Sequence, residues 1–381
     1  MSGLLRLAAS GVQIGVALPW SVRNASGMLL LARGFVIEEE EQLRQLLERG
    51  AYVDAVEAHY VARSEAAKAV AAVPRALGLF EEWSSIYRRL EAPLRNAGTK
   101  SQFLPLIETL ARDIVTLIER DVDVSIYTFV RQENIQFFNY GFTHSVHTAI
   151  AGVLMARRLG WPAARILVLA QAALTMNVAI VGVQGRIATQ DVPLRECQKT
   201  AIREHPGKSV TMLEQSGVTD PSWLAAVAQH HEHPDGSGYP DGRTEIEPLA
   251  LMLHFADTFT AKISPRASRP GVSIQQAARE LFQEERGGAM SSALIKELGI
   301  YPPGDFVQLK SGEFAVVMRR SANAKTPIAA SVTDKAGLPV PRTTQRDTAD
   351  PAFAIVASVT DRKRLAMLIR IPPQRLYGLS V

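Results

Sequence analysis

The spacing of apolar positions along the chain changes from short runs to a helical period and back to short runs. Over residues 1–53 the runs at 16–18 and 28–31 flank a polar stretch at 21–27, a pattern for strands around a turn. Residues 38–49 follow with acids first and Arg44 and Arg49 late, the order that complements a helix dipole, and predict a short helix. Residues 54–121 are rich in Ala, Leu, Glu and Arg with apolar positions three and four apart, which predicts amphipathic helices broken near Pro74 and near Asn96–Gly98. The helical period continues from Val122 to about Leu298, with predicted helices over 137–159, 163–176, 221–231 and 248–262. Another is predicted to close over 201–204 before His205-Pro206 and to resume over 208–215. After Pro302-Pro303-Gly304, strand-like runs appear at 306–310, 313–320, 327–332, 353–358 and 368–371, separated by turn residues.

These patterns predict an α+β multidomain chain: a small β-rich module over 1–53, a helical connector over 54–121, an all-helical domain over 122–298 and a second small β-rich module over 299–381. No fixed-period repeat and no long Gly/Ser/Pro linker separates them, so the modules are expected to pack together. At 47% apolar and 21% charged, the 381 residues can bury a sizeable core. The net charge of +4 is scattered, with no basic stripe interleaved with aromatics, which argues against a nucleic-acid partner. Cys197 is the only cysteine, so no disulfide forms within the chain, as expected of a reducing cytoplasm. No run reaches the ~18 apolar residues of a membrane span. The apolar start, residues 4–20, has only Arg6 as a base and is interrupted by Gln13 and glycines, so it reads as a buried first strand rather than a signal peptide. Together these features predict a cytoplasmic protein.

Chemistry concentrates in Gln229-His230-His231-Glu232-His233-Pro234-Asp235-Gly236-Ser237-Gly238-Tyr239-Pro240. Two adjacent histidines at a helix end can both turn inward as the helix unwinds, and neutral imidazoles suit first-row transition metals. The glycines let the following loop approach a ligand or partner closely.

This segment resembles the motif of HD-GYP domains, His-His-Glu-x-x-Asp-Gly-x-Gly-Tyr-Pro, and the resemblance extends over roughly residues 124–298. Thr143-His144-Ser145 is similar to the family's first metal histidine, Glu204-His205-Pro206 to its middle His-Pro, and Ala256-Asp257 to its downstream Ala-Asp. Arg266 and Arg269 stand where the family holds substrate phosphates. The resemblance implies a central all-helical HD-type domain flanked by β-rich modules. It also implies a two- or three-metal centre, often of iron or manganese, that activates water to cut a phosphodiester of cyclic di-GMP. Metals polarise the phosphoryl group and acidify the attacking water, while arginines neutralise phosphate charge. The loop Gly238, Tyr239, Pro240 is expected to contact a protein partner such as a diguanylate-cyclase domain.

The chain departs from the family at the His-Asp-x-Gly-Lys signature. Met176 stands for His, Asn177 for the metal-bridging Asp and Ile180 for the phosphate-binding Lys. Tyr140 occupies the position often held by a Glu ligand, and Thr260 that of a downstream Asp. An amide cannot supply the charge of a bridging carboxylate, and a thioether suits a hydrolytic iron or manganese site poorly. His144, His205, His230, His231 and Asp257 remain, a set expected to hold one metal or none. His147 and His254 lie one turn from His144 and Asp257 but read as packing or solvent-facing residues rather than replacement ligands, as does His233. The resemblance and its departures together predict a degenerate HD-GYP protein of cyclic di-GMP signalling, a sensor or scaffold with impaired phosphodiesterase activity. The alternative is an active metal-dependent phosphodiesterase acting on cyclic di-GMP or a related phosphorylated nucleotide.

Overall fold

In the computed structural model the described residues are 3–7, 12, 14–58, 78–98, 102–132, 136–285, 287–359 and 372–377. The chain divides into two compact units, residues 1–76 and 77–381. In the first, β1 (Leu4–Arg6), β2 (Val22–Arg23), β3 (Leu29–Leu31) and β4 (Tyr52–Asp54) form an antiparallel sheet in the order β1-β4-β2-β3. Val22 pairs with both Val53 and Leu31, which puts it at the centre of the sheet. It is fully buried with Leu18, Trp20, Ile37 and Val53, and Leu43 of α1 (Glu40–Glu48) joins this core.

The second unit is mainly helical. α2 (Leu79–Arg95), α3 (Phe103–Arg120), α4 (Val122–Arg131), α5 (Tyr140–Arg158), α6 (Ala163–Thr175), α7 (Val181–Thr189), α8 (Glu196–Gln215), α9 (Pro221–Gln229), α10 (Pro248–Ile263), α11 (Ile274–Glu284) and α12 (Ala289–Leu298) succeed one another, with a 3-10 turn at Phe137–Asn139. α5 is buried on nearly every side, from Tyr140 to Ala156, and so carries small residues where neighbours approach. A side chain on Gly141 would collide with Val181, while one on Gly152 would just touch Leu169. Ile107, Leu110 and Ile114 of α3 share one continuous core with Val146 and Ile150 of α5 and Phe259 of α10.

His205-Pro206 does not break its helix. α8 runs unbroken from Glu196 to Gln215 through Pro206, against the predicted stop at 204. Proline removes the bond that its N–H would have given to the carbonyl of Ile202. The Nδ1 of His205 takes that carbonyl instead, at 2.6 Å.

After the helices, β5 (Phe306–Leu309), β6 (Phe314–Arg319), β7 (Ile328–Thr333), β8 (Pro339–Asp347) and β9 (Ile355–Ser358) form an antiparallel sheet in the order β8-β7-β6-β5-β9. Phe306, Val316, Met318, Ala330 and Val332 join the helical core, while Val307, Leu309, Ala315, Val317 and Ala329 form a small core on the other face. Asp121 fixes the junction: it caps α4 by accepting from the Val124 N–H and also pairs with Arg319 at 2.9 Å. β8 escapes the sequence pattern because it is an exposed edge strand with Pro339 and Pro341 and few apolar residues. The run at 368–371 lies outside the described residues. Among the described residues, no helix is long and apolar enough to cross a membrane.

Candidate metal centre

Three histidines meet where α8 passes the end of α9. The ligand atoms of His205, His230 and His231 all lie within 4.8 Å of one another. The helices orient the first two rings by the same device. His205 Nδ1 donates to the carbonyl of Ile202, and His230 Nδ1 donates to that of Val227 at 2.8 Å, one of the carbonyls a helix end leaves without a partner. A carbonyl only accepts, so both rings carry their proton on Nδ1 and turn a lone pair outward from Nε2. Those two Nε2 atoms face each other at 3.1 Å.

Burial keeps the rings neutral. His205 is pressed down to about 3, chiefly by desolvation and then by His230. His230 and His231 are lowered as well, again by desolvation first. Two neutral imidazoles presenting lone pairs at 3.1 Å repel unless a cation lies between them. Donation of the second ring nitrogen to a backbone carbonyl is also how metal-bound histidines are usually held. The donor set therefore fits a divalent transition metal on His205, His230 and His231.

The loop after α9 closes against this cluster. Tyr239 stacks on His231 with ring centroids 4.5 Å apart and planes at 21°. Gly238 crosses the backbone of His231, Glu232 and His233 so closely that any Cβ would overlap it. The fully buried Glu232 is a clamp rather than a ligand: its carboxylate accepts the N–H of Asp241 at 2.8 Å and of Arg243 at 2.9 Å. The sequence pattern alone assigns Glu232 no role. Its signal is its place in the motif, nine and eleven residues before the amides it holds. His254 donates from Nδ1 to the carbonyl of His230 at 2.9 Å and so also stands behind the cluster. Pro240 follows Tyr239 through a cis peptide bond.

The other sequence-predicted residues are arranged differently. His144 Nε2 meets Asp257 Oδ1 at 2.6 Å, joining α5 to α10. Burial opposes the charge on Asp257, but the His144 hydrogen bond and the surrounding histidines hold its carboxyl well below the usual carboxylate range. Its charge also reaches His205, His230 and His231. The Nδ1 of His144 is buried without a hydrogen-bond partner. Met176 is fully buried and belongs to the continuous apolar core, while Asn177 and Ile180 are buried beside it.

Tyr140 stacks on His144 at 5.2 Å, and its hydroxyl accepts from Arg266 at 2.9 Å. The Arg266 guanidinium also lies 4.8 Å from the centre of the Tyr140 ring. Arg269 donates to the carbonyl of Ala261 at 2.8 Å and so satisfies the end of α10. Both arginines are near the site, and both are engaged by the protein itself. His147 meets the hydroxyl of Tyr87 at 2.8 Å. Desolvation, then His144, brings His147 down to about 3. His233 is exposed and packs its ring against His254.

The family model described as HD domain matches residues 136–288, the segment that holds every one of these histidines. Residues 136–288 thus form a domain of the HD type, and the His-His-Glu-x-x-Asp-Gly-x-Gly-Tyr-Pro loop closed over the triad gives it the HD-GYP motif. Among curated relatives, the chain is 27% identical over 213 residues to the cyclic di-GMP phosphodiesterase PA4108 of Pseudomonas aeruginosa, covering 51% of each chain. It is 28% identical over 213 residues to the 3'3'-cGAMP-specific phosphodiesterase 3 of Vibrio cholerae, covering 54% of this chain and 43% of that one. The chain thus spans about half the length, or less, of these curated relatives. Among solved structures, Bd1817, an HDG"Y"P protein from Bdellovibrio bacteriovorus, is similar with a TM-score of 0.49 at 17% identity, over 77% of this chain and 99% of that one.

Proposed function

We propose that this HD-GYP domain protein acts in cyclic di-GMP signalling by binding, as a sensor or scaffold built around one metal, with phosphodiesterase activity impaired. The relatives named for cyclic di-GMP and cyclic GMP-AMP hydrolysis support the ligand class. The observation that carries the one-metal reading is the pair of opposed Nε2 lone pairs on His205 and His230, with His231 beside them. When bound, the metal, iron or manganese by the family's habit, would supply a Lewis acid at that point. His205, His230 and His231 would hold it, Tyr239 would shield one flank, and Glu232 and His254 would keep the loop in place.

The reading of impaired hydrolysis rests on the other half of the site. A second cation there would need a carboxylate to offset repulsion between the metals, and Asn177 offers only an amide. Tyr140 covers one face of His144, and Asp257 is already bonded to His144.

The test is metal content measured together with hydrolysis of cyclic di-GMP. One metal per chain and negligible turnover are expected of the native protein. The variant Met176→His with Asn177→Asp and Tyr140→Glu is expected to take up a second metal. Robust turnover by the native protein, lost in His231→Ala, would overturn the proposal in favour of an active phosphodiesterase.

A further inference from the structure

Arg266 and Arg269 stand on a turn after α10 whose backbone is pinned. The Arg266 N–H donates to the carbonyl of Arg269, and the Ala267 N–H to that of Ala188 in the last turn of α7, each at 2.8 Å. Both arginines are half-buried, and among the described residues neither has an ion pair. Neutral oxygens hold them instead. Arg269 donates to the carbonyl of Ala261, and Arg266 to the hydroxyl of Tyr140. Burial first, and the charge of Arg266 second, press Arg269 below its ordinary value. Two half-buried cations that repel, with no carboxylate to offset them, favour an anion beside them.

The oxygen that Arg266 does hold comes from a side chain that also covers His144. The Tyr140 ring stacks on His144 at 5.2 Å with planes at 15°, and the Arg266 guanidinium lies 4.8 Å from the centre of the same ring. Burial pushes the Tyr140 phenol up, so the hydroxyl that meets Arg266 is neutral. A phosphate gives a guanidinium two charged acceptors at once, where this hydroxyl gives one uncharged acceptor, so a phosphate outcompetes it. The ring has room to move aside: Tyr140 lines a cavity of about 610 Å³, together with Thr143, His147 and Tyr87. With the backbone of the turn pinned, the tyrosine side chain is the part that yields.

We propose that Tyr140 gates the anion subsite of this centre. Its hydroxyl holds Arg266 in place of a phosphate oxygen, and a phosphate group must displace it to bind. The inference rests on the proposed cyclic-dinucleotide reading for the identity of the ligand, while the gate itself acts on any phosphate.

Calorimetric titration of inorganic pyrophosphate and of cyclic di-GMP into the full chain as purified, with metal content and melting temperature measured for each variant, tests the proposal. Tyr140→Phe keeps the ring and removes the hydroxyl. It should bind pyrophosphate about tenfold more tightly than the native chain, the effect of freeing a hydrogen bond to a charged group. A merely structural role for Tyr140 would weaken binding instead. Adding Arg266→Ala to Tyr140→Phe should abolish the gain. Arg266→Ala alone should weaken pyrophosphate binding relative to the native chain, a comparison that stands even if Tyr140→Phe folds poorly. Unchanged or weaker binding in a folded Tyr140→Phe, a gain that survives Arg266→Ala, native affinity in Arg266→Ala alone, or no pyrophosphate binding by either the native chain or Tyr140→Phe would each overturn the gate. A gain for pyrophosphate with no binding of cyclic di-GMP would keep the gate and remove the proposed ligand class, so the two readings fail separately.

Discussion

The triad of His205, His230 and His231 and the pair of His144 and Asp257 lie in one helical domain, yet they satisfy their hydrogen bonds in opposite ways. In the triad, two backbone carbonyls take the Nδ1 protons and leave lone pairs that converge. In the pair, a carboxylate meets His144 Nε2, and Nδ1 is left buried without a partner. The surroundings differ in the same sense. Behind the triad stand polar clamps, Glu232 and His254, that hold the loop and the backbone of the ligands. Beside the pair stand Met176, part of the apolar core, and Tyr140, stacked on His144. A ligand set is thus preserved less by the ligands than by what fixes their protons and rotamers. Where backbone carbonyls take the Nδ1 protons the Nε2 lone pairs converge, and where Met176 and Tyr140 stand alongside, a histidine and a carboxylate bond to one another.

Acid should produce the largest effect, and it should act on both regions alike. Folded His147 and His205 titrate near 3, each held neutral chiefly by burial, against an ordinary value of 6.5. Below about pH 6.5 the unfolded chain binds protons that the native chain refuses, so their contribution is complete above that pH and is lost as pH falls toward about 3. Between pH 7 and pH 5 the metal-free protein should lose about 2 kcal/mol for each of these two histidines. Denaturant unfolding at the two pH values checks this. A pH-independent midpoint would mean that these rings are already charged or exposed in the native state.

Metal affinity gives the next largest contrast. His231→Ala should lower it by more than roughly 100-fold, since even changes behind the ligands cost about 10–100-fold. His144→Ala should change it by less than about tenfold, because the His144 Nε2 is already bonded to Asp257 and the residue is not one of the three whose ligand atoms converge. Equal losses in the two variants, read by competition with a chelator, would show one undivided site and dissolve the comparison.

The support of the triad can be broken without touching a ligand. In Gly238→Ala the new methyl group would overlap the backbone of His231, Glu232 and His233. The loop must shift, and overpacking of this kind costs about 1–3 kcal/mol. Both stability and metal affinity should fall. A variant with native affinity and melting temperature would show that the loop is not tied to the cluster.

The motif order made much of this legible. His-His-Glu followed by Asp-Gly-Ser-Gly-Tyr-Pro located the triad's loop, and the helical period located the domain, because both are written in residue type and spacing. What escaped depended on hydrogen bonds between distant or backbone groups. Pro206 reads as a helix stop, and only the bond from His205 to the Ile202 carbonyl explains why α8 continues. β8 hides because an exposed edge needs no alternation of apolar residues. Glu232 sits inside the recognised motif, but its clamp on Asp241 and Arg243 appears only when the loop has folded back. Tyr140 stands out in sequence only as a missing ligand, and its grip on Arg266 needs the approach of α5 to the segment after α10.

The smallest expected effect concerns Tyr239, where recognition and support of the triad make different demands. Its ring packs flat on His231 and is half-buried, so part of it faces the cluster and part remains available. An aromatic pair of this kind contributes about 0.5–1.5 kcal/mol beyond the area it buries. Tyr239→Ala should therefore weaken metal binding a few-fold, and Tyr239→Phe, which keeps the ring, should leave it unchanged. If the hydroxyl instead serves a partner such as a diguanylate-cyclase domain, both variants should lose capture of that domain while Tyr239→Phe keeps its metal. Measuring metal affinity and capture on the same two variants separates the roles, because stacking depends on the ring and recognition through the polar tip depends on the hydroxyl. Native metal affinity in Tyr239→Ala would remove the tyrosine from the support of His231 and leave the three histidines held by their backbone carbonyls, Glu232 and His254 alone.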